Sequence, residues 1–546
     1  MLFFKIRGGN LQQKHCIFSK EQKMKFERKS LLFFFVSLLI LLQFLILFKI
    51  ASGITIWYDE AWRLFFANEF SFREIVKSSF INGFPTPTST IYLLLVKSIM
   101  NFSGNYLIAE YFLRGISILS ALISSFILLK SLDSKRYSVC AEGKLSSLLF
   151  LILNGCMTYY FVSIKEHAIL TVLILFSFYR LILLFEKNES FGLLDAIIIL
   201  SANLLSSLAA PMLICFSGIL IYSWIFHIRS IKKDLPFFLP IIFICSAIAF
   251  FRLLGKHEFE EAGRLFFLQH GLTVGQNTIY GSAEFSFEYF WDFSKSLLGF
   301  ELSPPILSSI SVFAVLTTSL TGAYKRFGRT GVLLILWALA SIPIFHLMAN
   351  NSSPRFFLWI PPILYFFSAH AFIIKNRILK FMLFSFLIIV FFSSCFGIIK
   401  LMNTFPQKIS IENSLETYHY NPSQDMVLHV DGLTFFHHQV TNPNSKKLII
   451  ASIDFGATSM MLHPDYPCLP KVPKRFYSSD SILSSFTGGD IWLCESWKKT
   501  EAINEYIRKR AFGGIKSEDL EIISFSAYPV FWTRFSVKLK NEKSAE

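Results

Sequence analysis

Two carboxylates stand side by side in Ile56-Trp57-Tyr58-Asp59-Glu60-Ala61-Trp62-Arg63, just beyond an apolar run from Leu31 to Ile56. Charge held at a membrane face is costly to desolvate and therefore needs a reason. One reason is general-base chemistry on a substrate presented by the lipid. The other is that the pair ends a helix in water, with Trp57 and Tyr58 as interfacial anchors. Three more clusters have the residue types for chemistry. Glu110 and Arg114 are four apart, on one helical face, where they either pair with each other or meet a ligand. Tyr159-Tyr160-Phe161-Val162-Ser163-Ile164-Lys165-Glu166-His167 packs three ionisable groups into consecutive positions of a very short turn. Asn350-Asn351-Ser352-Ser353-Pro354-Arg355-Phe356-Phe357 carries an arginine that either snorkels to headgroups or grips a phosphate through its planar fork. Acidic groups beside several cations suit a substrate with an anionic leaving group.

The elements that must bring these clusters together are apolar. The 546 residues are 53% hydrophobic, only 16% charged, and have a mean hydropathy of +0.51. Soluble domains carry about 25% charge, so the chain reads as a mainly α, polytopic membrane protein. Crossing about 30 Å of hydrocarbon takes roughly 20 residues. Eleven runs fit: approximately 31–56, 107–130, 145–163, 167–185, 193–209, 211–228, 236–254, 303–323, 330–348, 356–374 and 378–400. Placing residues 1–30 in the cytoplasm against anionic lipid makes every inner connection basic, as at Lys130, Lys135, Arg136 and Lys144, or at Lys325, Arg326 and Arg329. The net charge of +15 is thereby spread over short connections; it is no nucleic-acid footprint.

Residues 57–106 then form one outer loop. Within it Ser89 to Met100 is short, contains Lys97 and reads as a re-entrant or interfacial helix; Pro85 and Pro87 separate two surface helices. A second outer loop, 255–302, is long enough to close over a site as a lid or to pack as a connector. The polar remainder, 401–546, reads as a small α/β extracytoplasmic domain. Its strands are expected near 426–430, 447–451 and 490–494, and an amphipathic helix near 500–512. There is no P-loop or dinucleotide glycine fingerprint. His257, His270, His437, His438 and His463 show no metal-ligand spacing and read as ordinary polar residues. If their domain lies outside the cytoplasm, Cys468 and Cys494 are the pair available for one disulfide, though two thiols alone do not establish it. On this topology Asp59, Glu110, Arg114, Glu166 and Arg355 share one membrane face.

The order and sidedness of the clusters resemble GT-C glycosyltransferases, in particular the branch of protein O-mannosyltransferases and aminoarabinose transferases. Tyr58-Asp59-Glu60-Ala61 follows the first span. The proline-containing loop ends in Ile91-Tyr92-Leu93-Leu94-Leu95. Leu113-Arg114-Gly115-Ile116-Ser117 is similar to the family's arginine-containing second span. Ser163-Ile164-Lys165-Glu166-His167-Ala168-Ile169-Leu170 resembles its second outer loop, and Pro354-Arg355-Phe356-Phe357-Leu358-Trp359-Ile360-Pro361 a later motif. Family members commonly carry an arginine in the second outer loop, where this chain has Lys165 or His167.

The resemblance implies a GT-C-like bundle that transfers a sugar from a polyprenyl-phosphate donor to a glycan, lipid or protein hydroxyl on the extracytoplasmic face, inverting the anomeric carbon. Asp59 is expected as general base. Glu60 or Glu166 would orient the acceptor or the base, or help hold a divalent cation. Lys165, His167, Arg355 and Arg114 would meet the donor phosphate. The compartment is either a bacterial inner membrane with a periplasmic C-terminal domain, which analogy with the family favours, or an endoplasmic reticulum membrane. A transporter of lipid-linked sugars and a membrane scaffold are the competing classes; a transporter would place ionisable groups at mid-membrane depth, whereas most span interiors lack charge and Asp195, the nearest exception, sits near an inner end. In a cysteine-accessibility scan of membranes, positions beside Asp59, Glu166 and Arg355 should react with an impermeant reagent from the outer side only. Labelling from the cytoplasm would invert the topology.

Overall fold

The computed structural model describes residues 10–54, 58–81, 90–133, 139–187, 190–206, 209, 217–218, 220–221, 224–225, 232–248, 287–349, 354–374, 376–404, 420–421, 424–429, 438, 448–450, 489–496, 508, 519–527 and 530–537. Among them, five helices are long and apolar enough to cross a membrane, and a bent pair makes a sixth. The chain is a multi-pass integral membrane protein. Further apolar helices at Leu193–Leu205 and Ile360–Ile373, and a helical stretch over 232–248, coincide with other expected spans. The expected span 211–228 lies mostly outside the described residues, as do Pro85, Pro87 and residues 255–286 of the expected lid.

Helix α1 (Asn10–Gly53) joins the expected cytoplasmic tail and first span into one rod of 44 residues. No proline or glycine interrupts the sequence between its ends, so nothing stops the helix at the membrane boundary. At 1.5 Å per residue it is about 66 Å long, twice the hydrocarbon thickness. Its apolar part, Ser30–Gly53, is mostly exposed, which places it at the margin of the bundle with Phe33, Phe34, Leu41 and Phe48 facing outward. Gln43 fastens it inward, accepting the Ser125 hydroxyl at 2.7 Å.

Next come α2 (Tyr58–Glu69), α3 (Phe72–Ile81), α4 (Thr90–Ser103) and α5 (Tyr106–Leu132). With 14 residues, α4 spans about 21 Å and is too short to cross. It lies instead against α2, α3 and α5, as expected of an interfacial or re-entrant element. Helix α5 is the central pole. The Asn105 side chain caps it by accepting from the Leu107 N–H at 2.8 Å, and Asp133, paired with Lys144, closes its far end. Its 27 residues separate those ends by about 40 Å.

The expected span 145–163 is instead two helices, α6 (Ala141–Ile152) and α7 (Gly155–Val162), bent by 58°. The cause is Asn154. Its side-chain oxygen accepts from the Met157 N–H at 2.8 Å, which starts a new helix, while its amide donates to the Tyr365 hydroxyl at 3.0 Å. Helices α8 (His167–Lys187) and α9 (Leu193–Leu205) complete the N-terminal half. In the C-terminal half, Phe287–Leu297 precedes a 45-residue helix, Pro305–Ala349. Gly328 breaks that helix with a left-handed φ of 60°, at the basic connection expected between two spans. A 3-10 turn (Pro354–Phe357), a buried helix (Ile360–His370), a second 3-10 turn (Ala371–Ile373) and Arg377–Thr404 follow.

Among the described residues of the C-terminal domain, Met426–His429 (β1), Leu448–Ile450 (β2), Ile491–Ser496 (β3), Leu520–Ala527 (β4) and Val530–Val537 (β5) form one sheet of order β2-β1-β3-β5-β4. Strands β1 (Met426–His429), β2 (Leu448–Ile450) and β3 (Ile491–Ser496) run parallel and coincide with the expected ones. The antiparallel pair β4 (Leu520–Ala527) and β5 (Val530–Val537) was not expected from the sequence pattern. The expected helix at 500–512 lies outside the described residues except for Arg508, and so does Cys468; Cys494 is buried in β3.

Gly322 sits where the long helix meets Ile360–His370: a Cβ there would fall on the Phe367 carbonyl oxygen and lie 2.8 Å from the Ala371 nitrogen. A Cβ on Gly115, in α5, would meet nothing within 4 Å. Gly322→Ala should therefore destabilise the bundle by about 1–3 kcal/mol through overpacking, and Gly115→Ala should not. Thermal unfolding of the two variants in detergent checks the contrast; equal transition temperatures would refute it.

Candidate active site

Helix α2 buries Ala61, Leu64, Phe65, Phe66 and Ala67, and packs on α4. Glu60 and Arg63 are also buried. Charges survive removal from water only when paired and hydrogen-bonded, and both meet that condition across long stretches of sequence. Glu60 Oε1 accepts from the Ile164 N–H at 2.8 Å, and its Oε2 lies 3.3 Å from Arg114 Nη2. Arg63 Nη2 donates to Glu166 Oε2 at 3.1 Å. The short α7–α8 turn is thus fastened to α2 at two points.

Arg114 is the junction. Its Nε donates to Glu110 Oε1 at 2.8 Å, its Nη1 to the Val162 carbonyl at 2.7 Å, and its Nη2 to Glu60. All three guanidinium nitrogens are engaged. The expected i,i+4 pairing of Glu110 and Arg114 is present, but as one branch of a wider network. Ser117, one turn further along α5, donates to the Ser163 carbonyl at 2.9 Å. Tyr92 of α4 is buried within electrostatic reach of Arg63, Glu166, Glu60 and Arg114, and burial pushes its phenol up, so it stays protonated.

Three of the four clusters therefore meet at one end of α5. The Asp133–Lys144 pair marks the other end, about 28 Å from Arg114 along the helix. Lys165 and His167 are buried in the same turn, and the His167 ring stands edge-on to Tyr160 at 5.6 Å. Asp59 lies in the first turn of α2, where the helix N-terminus favours a carboxylate; its side chain is outside the described ones. Arg355 is half-buried in the 3-10 turn that packs on α7 and on Phe287–Leu297, with Phe357 edge-on to Phe293 at 5.6 Å. Residues 350–353 are outside the described set.

Arg63 is a buried site residue that was not among those expected from the sequence. Its signal was spacing: it follows Glu60 by three and Asp59 by four, on one helical face. Asp195, the charge nearest a span interior, is tied at an α9 terminus. It accepts from Arg180 at 2.8 Å and 3.3 Å and from the Gly192 N–H at 3.0 Å. That is a helix cap, not a mid-membrane relay.

For a divalent cation, no three His, Cys, Asp or Glu side chains among the described residues are grouped to hold one. Both Glu60 oxygens and Glu166 Oε2 are taken up by arginines and a backbone N–H.

No protein-family model matches the sequence, and no curated protein matches it. By structure the chain is similar to ArnT from Cupriavidus metallidurans in the apo state, with a TM-score of 0.52 and 10% identity over 93% of this chain and 98% of that one. It is similar also to the same ArnT bound to undecaprenyl phosphate, with a TM-score of 0.54 and 11% identity over 92% and 98%. The likeness runs through the bundle and the C-terminal domain and shows that this chain and ArnT share a fold.

Arg114→Ala would leave Glu60 and Glu110 buried without their counter-charge. A loss of about 3–5 kcal/mol is expected, seen as a collapse of the monodisperse fraction after detergent extraction. Full retention of folded protein would show that water reaches these carboxylates.

Proposed function

We propose that the chain is an integral membrane glycosyltransferase that moves a sugar from a polyprenyl-phosphate donor to an acceptor hydroxyl on the extracytoplasmic face. The observation that carries this reading is the fastening of α2 to the α7–α8 turn by Arg63–Glu166 and Glu60–Ile164. It holds the Asp59 position beside a turn bearing Lys165 and His167. That ArnT of this fold binds undecaprenyl phosphate supports a lipid-phosphate donor.

Asp59 is the general base. It takes the proton of the acceptor hydroxyl as that oxygen attacks the anomeric carbon; the bond from that carbon to the phosphate oxygen breaks, and polyprenyl phosphate leaves. A single displacement inverts the anomeric carbon. Lys165, His167 and Arg355 stabilise charge growing on the departing phosphate, and fixed cations do this best where water is scarce. Glu60, Arg114 and Glu166 are positioning residues: Glu60 meets Arg114 and the Ile164 N–H, and Glu166 meets Arg63, so they set the distance between base and turn. Glu110 belongs with them through Arg114.

The two neighbouring carboxylates should separate by experiment. Asp59→Asn should lower transfer by about 10²–10⁴-fold, the usual worth of a general base, with an unchanged unfolding temperature. Glu60→Gln should lower the unfolding temperature as well as the rate. Assays in membranes with a defined polyprenyl-phosphate sugar, paired with thermal unfolding, decide it; near-normal turnover by Asp59→Asn would remove the assigned base.

A further inference from the structure

Buried hydrogen-bond donors in folded proteins nearly always have a partner, and an exception calls for a cause. Trp359 is such an exception. The residue is only 3% exposed, and its indole Nε1–H meets no acceptor in the protein. An indole donates and does not accept, so turning a proton elsewhere cannot relieve it. In the sequence Trp359 reads as one more interfacial aromatic; only its burial without an acceptor sets it apart.

Covalent geometry fixes its surroundings. Trp359 is the N-cap residue of the buried helix Ile360–His370, with φ −80° and ψ −17°. A capping side chain normally accepts from the first helical N–H groups. An indole N–H cannot, and no side-chain cap bond is made. The partial positive charge of the helix end is thus joined by a further donor rather than answered by an acceptor. Arg355 stands four positions earlier, in the 3-10 turn Pro354–Phe357. That separation is about 6–8 Å along the axis at 1.5–2.0 Å per residue. The turn packs on α7, whose far end leads into Lys165 and His167.

We propose that the Trp359 Nε1–H donates to a non-bridging phosphate oxygen of the lipid-linked donor, which makes Trp359 a leaving-group-binding residue beside Arg355; this rests on the donor reading given above. A phosphate presents several oxygens, so one group accepts from the indole while it meets the guanidinium. Arg355, half-buried, supplies the charge. Trp359 supplies direction without charge, and a neutral donor is the cheaper group to keep buried while no substrate is bound. As the bond from the anomeric carbon to the phosphate oxygen breaks, charge grows on the phosphate and this hydrogen bond strengthens. The indole keeps its proton throughout. The same contact distinguishes a phosphate-bearing lipid from the corresponding alcohol.

Binding can be read as thermal stabilisation of the full-length protein in detergent by undecaprenyl phosphate and by undecaprenol, which has the same chain and no phosphate. The unaltered protein should prefer the phosphate. Trp359→Phe keeps an aromatic ring and removes the N–H; it should weaken undecaprenyl phosphate by about 10-fold or more, the size of one hydrogen bond to a charged group, and leave undecaprenol unchanged. Trp359→Leu, a second variant without the donor, should do the same. Undecaprenyl phosphate bound by the folded variants as tightly as by the unaltered protein would overturn the role of Trp359 alone. Equal weakening of both lipids would also overturn it, since the ring and not its N–H would then matter. An unaltered protein that binds the two lipids alike would instead overturn the donor reading itself.

Discussion

A charge cannot be left alone inside a membrane bundle, and this constraint organises the N-terminal half of the protein. Three carboxylates and two guanidinium groups are buried together at one end of α5. Each would cost several kcal/mol to desolvate alone. They are tolerated because Arg114 reaches two carboxylates and a carbonyl at once, and because Arg63 neutralises Glu166. The geometry this requires is narrow. It fixes α2, the start of α5 and the turn 163–166 relative to one another more strictly than apolar packing alone would.

Backbone breaks serve the same end. A straight helix through 145–163 would run on past the network. Asn154 ends α6 and starts α7 at a 58° bend, and the redirected helix delivers the Val162 carbonyl to Arg114 and the Ile164 N–H to Glu60. The turn carrying Arg355 packs on the same α7. This short helix of 8 residues is thus one point where the C-terminal half of the chain packs on an element of the candidate site.

Much of the bundle was legible because lipid imposes a coarse rule. Long apolar runs separated by basic connections mark spans whatever they pack against. The three parallel strands were visible as short apolar runs. β4 and β5 were not: Leu520–Ala527 leaves Glu521, Ile522, Ile523 and Ser524 all exposed, so it lacks the alternation that announces a half-buried strand. The bend at Asn154 was hidden because one capping side chain outweighs continuous apolarity. The continuity of α1 beyond the membrane is hidden in the sequence because a change in charge marks the membrane boundary but not the helix end, and a helix ends only where a breaker or a competing partner ends it.

By itself, the sequence determined that this is a multi-pass membrane protein with a polar C-terminal domain, and that Asp59, Glu60, Lys165 and Glu166 stand at span ends. Those properties are local: each follows from composition within some twenty residues. Only the tertiary structure decided which charges share a network and how they are divided. Glu60 pairs with Arg114 and Glu166 with Arg63 across 54 and 103 positions of chain, and no local rule selects a partner at such separation. The choice rests on packing, which brings the groups within 3.3 Å and removes the water that would otherwise have satisfied each of them separately.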